Sequence, residues 1–220
     1  MKRKIAITIV ATVLLVASVF MLVACNKKQG ETASDNISRL TESYYAGESE
    51  LFAVTVEKGR REKNFIADGK STEVEDFAEI TIVPLKTNDF EEIAYVLNGE
   101  NATLEGVVKK SEYGEYVARV ALDFVPASVT LKAGDVESAI ELASVLDGAI
   151  APLDAIDIAK NEFKDVLDKE ATTGKEREIY LKIITGDREN YYYYVSFIGD
   201  GVDYLAVLIE PKTGKVVSKK

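Results

Sequence analysis

"APLDAIDIAKNEF" (Ala151–Phe163) runs into "REIYLKIIT" (Arg177–Thr185), "YYYYVSF" (Tyr191–Phe197), "DYLAVLIE" (Asp203–Glu210) and "KVVS" (Lys215–Ser218), and this order decides the fold reading. Behind Pro152, a residue suited to a helix start, Leu153, Ile156, Ala159, Phe163, Val166 and Leu167 recur every three or four positions. That spacing predicts a helix over 153–168. The later segments are rich in strand-forming residues, with turn signals at Gly186-Asp187, Gly199-Asp200-Gly201 and Lys212-Thr213-Gly214. A helix followed by three or four antiparallel strands is therefore expected, as an α+β unit over 149–220.

This tail resembles the PepSY domain, whose helix with spaced alanines precedes a sheet that ends in a strand, a Thr-Gly turn and a last short strand. The likeness covers 150–220. It departs at the last turn, where Glu210-Pro211 precedes Lys212-Thr213-Gly214 in place of the acid that often opens it. The resemblance implies a non-catalytic module of peptidase propeptides and bacterial envelope proteins that binds or restrains proteases, with no catalytic residues to transfer.

Upstream, over 44–148, apolar residues mostly alternate. "LFAVTVE" (Leu51–Glu57), "FAEITIVP" (Phe77–Pro84), "IAYVL" (Ile93–Leu97), "ATLEGVVKK" (Ala102–Lys110) and "YVARVALDF" (Tyr116–Phe124) fit half-buried strands. Lys58-Gly59, Asp68-Gly69, Asn98-Gly99 and Tyr113-Gly114 are turn signals between them, Asn-Gly being the best suited to a type I′ hairpin. A small antiparallel β-sandwich or barrel follows. "TNDFEEIAYVLNG" (87–99) also fits a capped helix, and "GDVESAIELASVLDG" (Gly134–Gly148) fits helix or strand by spacing alone.

Composition narrows the function classes. The formal charge is -10, and the first 24 residues hold three cations and no acid, so the remainder carries about -13. Such a chain lacks the basic face that nucleic acids require. "KGRREK" (Lys58–Lys63) reads as a solvated turn. Histidine is absent, which removes His-dependent triads and His-based metal sites, and a single cysteine cannot close an internal disulfide.

That cysteine is Cys25. Lys2-Arg3-Lys4 precedes twenty uncharged residues, "IAITIVATVLLVASVFMLVA", which read as an export signal or membrane anchor with the following chain on the outer side. Leu22-Val23-Ala24-Cys25 resembles the lipobox of bacterial lipoproteins, which implies cleavage after residue 24 and a diacylglyceryl group on the Cys25 sulfur. Two acyl chains suffice for stable anchoring. "NKKQGETASDNISRLTES" (26–43) reads as a flexible tether spanning roughly 25 Å. The expected organisation is a signal peptide over 1–24, a tether over 25–43, and two domains over 44–148 and 149–220.

No residue pattern supplies a reaction. Glu73, Glu75, Asp76 and Glu79 are acids close in sequence, but glycoside hydrolysis needs two of them opposed across a cleft. "DGKSTEVED" (Asp68–Asp76) and "GDGVD" (Gly199–Asp203) offer oxygen ligands without the spacing of a twelve-residue calcium loop, so neither metal nor cofactor is expected. The candidate binding patch is Tyr191, Tyr192, Tyr193 and Tyr194, together with Tyr180 and Tyr204 on neighbouring strands. The period of two sends Tyr191 and Tyr193 to one face and Tyr192 and Tyr194 to the other. The expected protein is an extracytoplasmic lipoprotein on the outer face of the cytoplasmic membrane, a non-catalytic module for a protein or peptide. Solute capture for a transporter, or an envelope spacer, are the alternatives. Cys25→Ser is expected to move the protein from the detergent to the aqueous phase on partitioning.

Overall fold

The computed structural model describes residues 36–86, 90–187 and 189–220. The signal peptide, Cys25 and residues 26–35 of the expected tether lie outside them. The described chain forms β1 (Ile37–Glu48), β2 (Phe52–Glu62), β3 (Val74–Pro84), β4 (Glu92–Asn98), β5 (Thr103–Lys109), β6 (Tyr116–Val120), β7 (Ser128–Ala133), β8 (Val136–Glu141) and β9 (Ala143–Ser144). There follow the helices α1 (Pro152–Glu162) and α2 (Lys164–Thr172), then β10 (Glu178–Thr185), β11 (Tyr191–Ile198), β12 (Tyr204–Ile209) and β13 (Val216–Lys219).

Nine strands make one mixed sheet, in the order β13-β12-β11-β10-β1-β2-β3-β6, with β9 on β1. Among the described residues its only parallel pair is β1 with β10, registered Arg39 to Tyr180 and Leu40 to Leu181. A second, antiparallel sheet runs β5-β4-β7-β8. One face of the large sheet is covered along its length, though by two different layers. Phe52, Val54, Val56, Ile80 and Ile82 pack with the second sheet through Ile93, Leu97, Val129 and Leu131. Ile37, Leu40, Ile179, Leu181, Val195 and Val207 pack with Ala155, Ile156 and Ala159 of α1. The alternate residues of β1, β2, β3, β6, β10, β11 and β12 face the uncovered side.

This overturns the expected fold class. The molecule is mostly β, and it is not an N-terminal sandwich joined to a separate PepSY-like helix-and-sheet module. The sheet crosses the boundary placed at 148/149, because residues Ile37–Ser43 of the expected tether are strand β1, paired with β2 on one edge and with β10 on the other. Pattern reading missed β1 because only Ile37 and Leu40 are apolar among its first seven residues, and its parallel partner β10 lies far off in sequence. Ser38 and Thr41 are fully buried there. The Ser38 hydroxyl donates to the Ile179 carbonyl at 3.3 Å, and Thr41 donates to Glu57 Oε1 at 2.5 Å.

Other local readings change as well. Lys58-Gly59 is not a turn, and "KGRREK" is not a solvated loop. Lys58 to Glu62 lie in β2, where β1 bulges between Thr41 and Ser43 and a Cβ on Gly59 would stand 2.0 Å from the Leu40 carbonyl oxygen. Residues 92–98 are strand, and β4 closes onto β5 through a four-residue loop, Gly99 N donating to Ala102 O at 2.8 Å, not through a type I′ Asn-Gly turn. The segment left open becomes β8 and β9. The expected helix breaks in two at Phe163, where φ is -111° and ψ 16°.

A shared sheet has a thermodynamic consequence. Leu40 is 2 % exposed and completes the core under α1 from the other half of the chain. Leu40→Ala should cost about 2–5 kcal/mol and lower a single cooperative transition of the whole molecule. The isolated fragment 149–220 should not fold. Two separate melting transitions by calorimetry would contradict the arrangement.

Candidate binding groove

Period-two alternation builds the uncovered face. Arg39 of β1 lies opposite Arg61 of β2 on one side and Tyr180 of β10 on the other. Tyr180 pairs with Ser196, Lys182 with Tyr194, and Ile198 with Tyr204. Glu57, Phe77 and Glu79 share this face from β2 and β3, and Arg119 shares it from β6. Apart from Glu57, Phe77 and Glu79, which contact its arginines, these residues line a groove of about 690 Å³ together with Lys63, Phe65 and Ala67 of the loop after β2.

Cations and rings are interleaved along it. The Arg39 guanidinium stands 4.6 Å from the Phe77 ring centroid and 5.6 Å from that of Tyr180, and Arg61 is 5.0 Å from Phe77. Lys182 lies 5.8 Å from the Tyr194 centroid, and Lys220 lies 4.4 Å from that of Tyr204. Phe65 meets Tyr180 edge-on at 5.8 Å. Since cations occupy these ring faces, the groove offers few bare aromatic faces for stacking, and its chemistry is that of its charged heads.

The heads are partly compensated. Arg39 bonds Glu57 at 2.7 Å, while Arg61 and Arg119 each stand 3.5 Å from Glu79. Burial alone would lower the Arg39 pKa, but Glu57, Tyr180 and Glu79 outweigh it and push the group above its ordinary value. Burial pushes the Tyr180 hydroxyl upward. Lys182 has no carboxylate partner among the described residues. Two buried atoms of lining residues make no hydrogen bond: Arg39 Nε, a donor, and Glu62 Oε2, an acceptor. The lining cations Arg39, Arg61, Lys63, Arg119 and Lys182 are set against the lining acids Glu62 and Glu75 and the bonded acids Glu57, Glu73 and Glu79, so the charge is largely matched and Lys182 alone of these cations stands without a carboxylate among the described residues.

Of the six tyrosines proposed from sequence, Tyr180, Tyr194 and Tyr204 line this groove together. Tyr193 is fully buried on the covered face, where its hydroxyl donates to the Ile150 carbonyl at 2.8 Å and burial raises its pKa to about 12. Tyr191 packs on Tyr44, their centroids 5.9 Å apart, and Tyr192 lines a separate concavity with Asp147 and Lys212. Alternation separated the run as expected, and strand length removed Tyr192. Sequence reading missed Arg39, Arg61, Phe77 and Lys182. Their only sequence signal is alternate spacing, and Arg39 was hidden in the expected tether.

Three of the four acids weighed for catalysis are held in ion pairs. Glu75 and Glu79 stand 3.6 and 3.5 Å from Arg61, and Glu73 stands 3.8 Å from Lys63. Of the two oxygen-rich turns, Asp68 Oδ1 accepts from Lys70 N at 3.0 Å. Asp203 joins a network that ties α2 to β10 and β12. There Arg177 donates to the Glu170 carboxylate at 2.6 and 2.8 Å and to both Asp203 carboxylate oxygens at 3.0 and 3.1 Å, and Arg177 together with Lys175 holds the Glu170 carboxyl at about 2.

No protein-family model matches the chain, and no curated protein or solved structure matches it either. The likeness of 150–220 to the PepSY domain gains no support from these comparisons.

At the end of the groove, next to Ile198, Glu178 opens β10 with 0 % exposure, and neither of its carboxylate oxygens has a hydrogen-bond partner among the described residues. Burial raises its pKa, Glu62 and Asp68 add to this, and the nearby Ser38 hydroxyl and Gly69 N–H offset only part of it. A carboxyl whose folded pKa is raised contributes stability below its unfolded pKa, and that contribution is lost as pH rises through the folded value. Stability should therefore fall as pH climbs above 4.5, the ordinary value of this group. Glu178→Gln should raise Tm at neutral pH and flatten this part of the profile; an unchanged pH profile in thermal melts would contradict the assignment.

Proposed function

We propose that the protein is a bacterial lipoprotein anchored through Cys25 on the outer face of the cytoplasmic membrane. There it acts as a non-catalytic module that binds a polypeptide segment of another envelope protein. The observation that carries the binding half is the open groove of interleaved cations and rings, in which Lys182 has no carboxylate partner among the described residues. An extended segment with an acidic side chain supplies a carboxylate for Lys182, and charge complementarity of this kind sets register and partner choice more than raw affinity. The anchoring half rests on the apolar run and the lipobox-like Leu22–Cys25; no described helix is long and apolar enough to cross a membrane.

Solute capture for a transporter is less well supported. It calls for a closed cleft between lobes, whereas this groove lies open along one face of a single sheet.

A photoreactive residue at Tyr204 should crosslink a polypeptide saturably in intact cells. Lys182→Glu should lower the yield about tenfold, equivalent to about 1.4 kcal/mol, without changing Tm. A yield indifferent to Lys182, or turnover of a peptide, ester or glycoside that is lost on mutating a single acid, would overturn the reading.

A further inference from the structure

Three large apolar side chains are held out into solvent at one end of the molecule. The loop between β2 and β3 presents Phe65 and Ile66, 48 % and 63 % exposed, and the turn between β11 and β12 presents Val202, 95 % exposed. The two loops are tied together. Asp68 and Asp200 form an isolated β-bridge, and Gly201 N donates to the Ala67 carbonyl at 3.1 Å. Phe65 is braced on Tyr180, and Gly69 takes φ +86° where a Cβ would meet the Glu176 carbonyl at 2.7 Å. This tip is built and braced, and clustered exposed apolar residues of this kind mark contact with another apolar phase.

The chain enters the fold beside the same tip. Asn36 Nδ2 donates to the carbonyls of Gly69 and Arg177, both at 2.8 Å, and its Oδ1 accepts from Ser71 N at 2.7 Å. Because β1 begins at Ile37, only residues 26–35 separate Cys25 from this corner, a contour of at most about 40 Å. The other end of the sheet, with Tyr113 at its turn, lies about 35 Å farther along the strands. Nearby charges are matched, Lys63 standing 3.8 Å from Glu73 and Lys70 3.5 Å from Glu176, so attraction to anionic headgroups is not the driving term.

We propose that the joined tip of residues 63–70 and 199–203 rests in the interfacial layer of the outer leaflet, with Ile66 and Val202 entering it. This inference rests on the lipid-anchor reading above. The acylated sulfur holds the protein at the surface, the short connection keeps the Asn36 corner near it, and the apolar tip sets which end faces the lipid. The groove then opens just above the headgroups.

The chain has no tryptophan, so one introduced residue reports alone. Acylated full-length protein carrying Ile66→Trp, Val202→Trp or Tyr113→Trp would be reconstituted into phosphatidylcholine vesicles with and without brominated lipid, and flotation scored in the same samples. A blue shift and bromine quenching are expected at positions 66 and 202 and neither at 113, with little change when phosphatidylglycerol is added. Protein that floats while positions 66 and 202 stay unshifted and unquenched would overturn the docking and leave the anchor standing. Protein that fails to float would remove the anchor, and the docking with it.

Discussion

The short parallel pairing of β1 with β10 is the contact on which the architecture depends. Parallel strands need a long connection, and here about 130 residues separate the partners, among them the second sheet and both helices. Three registered pairs, with Ser38 and Thr41 buried beside them, join two antiparallel runs into one sheet. Without that join, Ile37 and Leu40 would leave the core under α1, and β10 would become an exposed edge, which invites unwanted pairing.

Covering one face and leaving the other open has a direct chemical result. Alternation along each strand sends one set of side chains inward, so whatever remains must face water or a partner. Here the inward set is apolar, aliphatic with Phe52, Tyr193 and Phe197 among it, and the outward set is Arg39, Arg61, Phe77, Arg119, Tyr180, Lys182 and Tyr194. Salt bridges from Glu57 and Glu79 orient the arginines, and the desolvation of such half-buried pairs offsets much of their attraction. Their value lies in holding guanidinium groups at fixed positions along the groove.

Two features at the far end of β1 couple the groove to its surroundings. The Arg177 network pins α2 to the start of β10 and to the turn before β12, and Asn36 pins the chain entry to the loop after β2. The loops that carry Phe65 and Val202 therefore move with the sheet and not independently of it. Orientation at a surface and presentation of the groove are then a single property of the fold.

By itself the sequence determined which residues alternate: the segments that became β2 to β6 and β10 to β13 were visible as strands, Pro152 marked the helix, and Tyr191 and Tyr193 separated from Tyr192 and Tyr194. The apolar run ending at Cys25 is likewise a local property. Only the tertiary structure decided that Ile37–Ser43 is a strand, that one sheet crosses both halves, and which outward-facing side chains converge. Local periodicity records whether a residue is buried on one side. It carries no information about which distant strand supplies the backbone partner, and in β1, with two apolar residues in its first seven, that partner was the whole of the signal.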